Sequence, residues 1–156
     1  MDVSYCKKWW DKRKKMIDEI SKSDAEILHN KGENYTAVIK ENEKVEYVID
    51  ISAKNILVRF YDDEMYLVYE FDILNNDKMF LKAAFYYTYA ASELLEILSF
   101  NFSESGYVYM SKQNLNTYKS EERENIVNVS NNWEEFPKFG DYTNILKKRK
   151  GINLLK

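Results

Sequence analysis

One histidine, His29, and one cysteine, Cys6, are the only imidazole and thiol in these 156 residues. A cysteine beside an imidazole can act as an activated nucleophile. Cys6, however, falls on the core-facing side of its segment, where a buried thiol is structural and inert. A structural zinc site takes four nitrogen or sulfur ligands, and the chain supplies two such residues in all. Gly32, Gly106, Gly140 and Gly151 are isolated, so no glycine-rich phosphate cradle is spelled out. Carboxylates remain. Asp62, Asp63, Glu64, Asp72 and Asp77 fall at predicted strand ends, where a pair could share a calcium or magnesium ion or divide acid and base roles. Solvated turn residues that protect hairpin ends from association have the same pattern.

Tyr61, Tyr66 and Tyr86 are predicted to face outward from the strands that carry them. Exposed aromatics on a sheet can stack single-stranded nucleic acid, but such sites sit in basic surroundings. Here the surroundings are acidic. Between Glu41 and Glu104 there are 13 acidic residues against 5 basic ones, a local balance of -8 inside a chain whose total is -3. A field of that sign repels nucleic acid and steers a basic partner. Tyrosine supplies rigid contact area beside carboxylates that pair with lysine and arginine. Asp62, Asp63, Glu64, Tyr66, Glu70, Asp72 and Asp77 are therefore the predicted partner-binding residues, with packing beneath helices as the competing use of the same face. No catalytic residue, cofactor or metal ligand is assigned. The terminal Lys147, Lys148, Arg149 and Lys150 read as a solvated helix end that complements the helix dipole.

The elements that must position these residues start from the stretch at 44–73, KVEYVIDISAKNILVRFYDDEMYLVYEFDI. Its apolar and polar residues alternate, with Val45, Tyr47, Ile49 and Ile51 on one side and Glu46, Val48 and Asp50 on the other. Met65, Leu67, Tyr69, Phe71 and Ile73 repeat the alternation against Glu64, Tyr66, Glu70 and Asp72. Turns at Ala53-Lys54-Asn55 and Asp62-Asp63-Glu64 are short enough to force antiparallel neighbours. Before this stretch, Cys6, Trp9, Trp10, Arg13, Ile17 and Ile20 are spaced by three and four and predict a helix over residues 7–20. Ser23 to Glu26 spell a capping box for a second helix that Gly32 closes. One bent helix fits these residues as well as two.

Residues 78–98 admit two readings. A polar stripe of Lys78, Lys82, Tyr86, Tyr89, Glu93 and Glu96 suits a helix, whereas MFLKAAFYYTY has the composition of a strand. The hairpin that follows, ILSFNF and YVYMSK joined by Ser103 to Gly106, favours strands, with a turn at Ala91-Ser92-Glu93. Asn114 to Glu124 reads as a loop, Ile126 to Val129 as a last strand, Phe136 to Gly140 as an ordered loop, and Asp141 as the cap of a final helix running to residue 150.

The expected fold is α+β: an antiparallel β-meander of six or seven strands, with N-terminal helices packed on one face and a short C-terminal helix. The chain is read as a single domain, residues 1–156, with helices at about 6–31, the meander at about 35–130 and a closing loop and helix at about 131–156. That length buries roughly 68–70% of the unfolded surface without staples. The first residues lack the apolar core of a signal peptide, and no apolar run reaches the ~18 residues of a membrane span, which places the chain in a reducing cytoplasm.

In the strand run KMFLKAAFYYTY, the hairpin LSFNFSESGYVYMSK and the closing NWEEFPKFGDYTNIL, the chain resembles the small bacterial immunity proteins of polymorphic and contact-dependent-inhibition toxin systems. The resemblance implies a non-enzymatic role, tight binding of a cognate toxin domain whose active site or substrate surface is blocked. With the acidic face, the expected partner is a basic, nuclease-type domain, with no nucleic acid or membrane bound directly and the oligomeric state left open. A protein-binding adaptor of another bacterial or phage pathway, a carboxylate-dependent enzyme and a small-ligand barrel are the alternatives.

Overall fold

Wherever a short polar pair interrupts a run of β-branched and aromatic residues, the chain reverses. Asn42 and Glu43 have φ of 52° and 64°, and Ala91 and Ser92 have 50° and 67°. Both pairs are two-residue turns whose positive φ angles give a twist that matches the right-handed twist of the flanking strands. The computed structural model describes residues 1–74 and 78–146. In order, these form β1 (Asp2–Trp10), β2 (Lys15–Ile20), α1 (Lys22–Lys31), β3 (Tyr35–Glu41), β4 (Lys44–Ile51), β5 (Asn55–Tyr61) and β6 (Met65–Ile73). There follow β7 (Lys78–Ala90), β8 (Glu93–Phe102), β9 (Tyr107–Asn114), β10 (Ser120–Ile126), a 3-10 turn at Ser130–Asn132, β11 (Trp133–Glu135) and α2 (Thr143–Leu146). The strands make one antiparallel sheet in the order β10-β9-β8-β7-β6-β5-β4-β3-β1-β2, with β11 paired to β7 beyond the end of β8.

Residues paired across the ladders share a face, so the register sorts the core. Ile49, Val58, Tyr69, Ala84 and Phe100 are one such row, and all five are buried. This first face carries the main core, joined by Tyr5, Phe60, Phe71 and Met79. It is covered by α1 and by the chain after β10, where Val129, Tyr142 and Ile145 are buried and Phe136 and Phe139 are partly so. Each fully buried Phe or Met side chain contributes about 1.5–3 kcal/mol.

The second face holds a smaller cluster of Cys6, Val38, Val48 and Tyr61, flanked by Trp9, Met16, Val45 and Met65. Its cover comes from the β1–β2 hairpin. β1 pairs with β3 only as far as Cys6. Beyond that point the hairpin reaches past β3 and β4 to β5, where the Trp9 indole N–H donates to the Tyr61 hydroxyl at 3.0 Å.

The α+β expectation is corrected by this architecture. Residues 7–20 are strand, turn and strand instead of a helix, and the sheet has eleven strands where six or seven were expected. The three-and-four spacing of Trp9, Trp10, Arg13 and Ile17 is real, but Asp11 to Lys14 form a polar turn in its middle, and Lys14 has φ of 48°, which a helix interior does not accept. One N-terminal helix exists, α1, and its N-cap is Ser21, not Ser23: the Ser21 hydroxyl accepts from the Asp24 N–H at 3.1 Å. Gly32 ends it in the left-handed region. Residues 78–98 are the two strands of a hairpin, and Asn114 to Glu124 contains most of β10 where a loop was expected. The last strand before the closing segment stops at Ile126. Of the expected C-terminal helix, α2 covers Thr143–Leu146, and the stretch to residue 150 lies outside the described residues.

Candidate interaction surface

The sheet itself separates the only thiol from the only imidazole. Cys6 lies in the second-face cluster, its Sγ–H donating to the Lys8 carbonyl at 3.1 Å, and burial pushes its pKa up to about 11, which keeps it a neutral thiol. His29 packs on the first-face side, with Nδ1 2.8 Å from the Tyr35 hydroxyl, which is in turn 3.2 Å from the Tyr142 hydroxyl. Burial lowers the His29 pKa, with a nearby Glu26 opposing. These groups tie α1 to the closing segment.

Polar chemistry is concentrated on the second face. Arg59, with a side chain only 14% exposed, bonds Asp50 through Nη1 at 2.6 Å and Asp11 through Nε at 3.1 Å. Burial works against its charge, but Asp50 and Asp11 outweigh burial and hold the guanidinium above its ordinary range. Thr36 donates to the other Asp50 oxygen at 2.6 Å, and the Tyr61 hydroxyl donates to Asp11 at 3.3 Å. The network fastens the hairpin turn onto β4 and β5.

The predicted partner-binding residues do not form one patch. Asp62, Asp63 and Glu64 share the β5–β6 turn. There Lys44 meets Asp63 at 2.8 Å and lowers its pKa, while Lys14 reaches the Asp63 carbonyl at 2.6 Å and the Glu64 carboxylate at 3.4 Å. Glu70 and Asp72 lie toward the other end of β6, about 20–26 Å away along the strand, and both pair with Lys82, at 3.2 and 3.0 Å. Tyr66 turns the other way. Phe60 pairs with Leu67 but Tyr61 with Met65, so Tyr66 is an extra residue that bulges the strand. It packs on the first-face core with its ring 6.4 Å from that of Phe60, and Met65 moves to the second face. A similar shift between Ile39 and Lys40 sends Val45 to the second face as well. Asp77 lies outside the described residues. Among the described residues, no group of three or more His, Cys, Asp or Glu side chains is placed to hold a metal ion.

An acidic, tyrosine-bearing surface does exist, where the expected strand β9 pairs with β10, a strand in place of the expected loop. β10 is SEERENI, and all seven of its residues are exposed. Its register with β9 puts Glu122 opposite Ser111, Glu124 opposite Tyr109 and Ile126 opposite Tyr107. Diagonally, Glu122 neighbours Tyr109 and Glu124 neighbours Tyr107, and these carboxylates raise both phenol pKa values. Tyr107 is 42% and Ile126 79% exposed. Unlike Asp63, Glu64, Glu70 and Asp72, the Glu121, Glu122 and Glu124 carboxylates form no ion pair among the described residues. The signal for this surface was the alternation Tyr107, Val108, Tyr109 in β9, which asks for a paired neighbour that SEERENI does not advertise.

Comparison with protein-family models, curated proteins and solved structures returns no match for this chain. Among the described residues, no helix is long and apolar enough to cross a membrane.

Proposed function

We propose that this chain is a cytoplasmic, non-enzymatic immunity-type protein that binds a cognate toxin domain of basic, nuclease-type character and keeps it from its substrate. The observation that carries the reading is the exposed row of Glu121, Glu122 and Glu124, which no ion pair among the described residues neutralises, beside Tyr107 and Tyr109 on the last two strands at one end of the sheet. Carboxylates flanked by tyrosine rings present negative charge where a nuclease surface expects phosphate. Tyr107, Tyr109 and Ile126 add contact area of the kind that dominates protein interfaces. The central balance of -8 supplies long-range steering toward a basic partner.

Co-expression with the basic toxin domain encoded beside this chain tests the reading. The expected outcome is rescue of growth and a co-purifying complex whose association slows as salt rises. A toxin that remains active with the chain in excess, or no complex at low salt, overturns it. An adaptor of another pathway differs in its neighbourhood: the same surface with no adjacent toxin gene, and a partner without lethal activity.

A further inference from the structure

β10 is the terminal strand at one end of the sheet, paired on one side with β9 from Ser120 opposite Gln113 to Ile126 opposite Tyr107. Among the described residues nothing pairs with its other side. In an antiparallel ladder, alternate residues turn their N–H and C=O groups away from the partner strand, so β10 presents an outer row at Ser120, Glu122, Glu124 and Ile126, of which the Ile126 N–H already donates to Asn125 Oδ1 at 2.8 Å. Terminal strands are commonly blunted by charged side chains, by proline or by a bulge. β10 has no proline and its ladder with β9 runs in unbroken register, so its protection is the charge of Glu121, Glu122, Arg123 and Glu124.

Its side chains decide what this edge accepts. Antiparallel pairing with a second copy of β10 centred on Arg123 sets Glu122 against Glu124 and Arg123 against itself, and like charges directly opposite are destabilising. The opposite end of the sheet, β2, offers KMIDEI, with two carboxylates against one lysine. A foreign strand with lysine or arginine at alternate positions is complementary: its cations meet Glu122 and Glu124, and an apolar neighbour lies over Ile126 and Tyr107. The acidic turn at Asp62 to Glu64 offers less, because Lys14 and Lys44 already occupy it.

Building on the functional reading above, we infer that the outer edge of β10 receives an extended, basic segment of the toxin domain as an added strand, with backbone pairing for affinity and Glu122 and Glu124 for choice of partner. The test uses the full chain and three synthetic peptides: alternating lysine and threonine, the same peptide N-methylated at alternate residues, and a glutamate–threonine counterpart. Backbone amide exchange is followed residue by residue, with peptide affinity measured in parallel. The outer amides of β10 should exchange rapidly in the free chain and become protected by the lysine–threonine peptide alone. E122Q/E124Q should weaken that peptide about tenfold while leaving the melting temperature unchanged. Slow exchange in the free chain, protection confined to other strands, equal binding of the N-methylated peptide, or unchanged affinity of E122Q/E124Q each overturns the inference. Protection of β10 without neutralisation of the toxin removes the functional reading and leaves the edge site standing. Neutralisation with protection elsewhere removes the edge site alone.

Discussion

Arg59 shows how one side chain converts two chain segments distant in sequence into a single surface. Its guanidinium is nearly enclosed, and both of its carboxylate partners are partly open to solvent. Replacing it with alanine leaves Asp50 and Asp11 facing a gap and unfastens the hairpin turn. We expect Arg59→Ala to destabilise the fold by roughly 2–3 kcal/mol, below the range for a fully buried pair because the partners keep some hydration. Urea unfolding measures the loss, and a cycle with Asp50→Asn should show strong coupling; additive effects would mean that the pair stands apart from the fold. That arginine and its two aspartates were invisible as a unit in the sequence. Asp11 lies 48 residues before Arg59, and no periodicity links a turn to a strand three places away in the sheet. The inertness of Cys6 was legible, since an isolated cysteine in an apolar setting already argues for a neutral thiol.

Among the elements, α1 was legible and its cap was misplaced by two residues. Ser23 and Glu26 satisfy the capping-box spelling, while the chain uses Ser21, whose extended backbone and accepting hydroxyl begin the helix two residues earlier. The two serines give a clean comparison. Ser21→Ala should cost about 1 kcal/mol, and Ser23→Ala, inside the first turn, should be close to neutral; thermal melting of both variants checks this, and the reverse order would overturn the assignment. The β1–β2 hairpin was missed for a different reason. Over a window this short, a strand–turn–strand with bulky residues on both faces satisfies helical spacing as well as a helix does. Bulges produced the remaining errors of facing, because one extra residue at Tyr66 reverses the alternation for everything before it.

At the scale of the molecule, the closing segment bears on stability through His29. Tyr35 bonds the imidazole and is itself bonded to Tyr142, Phe136 and Phe139 pack on the ring, and burial lowers its pKa in the folded chain. The unfolded chain therefore takes up a proton before the folded one, so the contribution is complete above the ordinary histidine pKa and is lost as pH falls below it. Melting temperature should fall between pH 7 and pH 5 in the native chain, and His29→Gln, which removes the only histidine, should flatten that fall; an equal fall in the variant would place the titration elsewhere. The amino-acid sequence alone determined the antiparallel run from β3 to β6, because alternation and turn residues act between near neighbours and leave little choice of pairing, whereas residues 78–98 fit a helical stripe as well as two strands and were decided by their pairing in the sheet. It also determined the acidic balance, which is a sum and needs no geometry. Which carboxylates stay available for a partner was decided only by tertiary structure. Lys14, Lys44 and Lys82 come from other elements to neutralise the residues that the sequence put forward, and the pairing of β10 with β9 brings Glu122 and Glu124 to tyrosines that no local pattern connects to them.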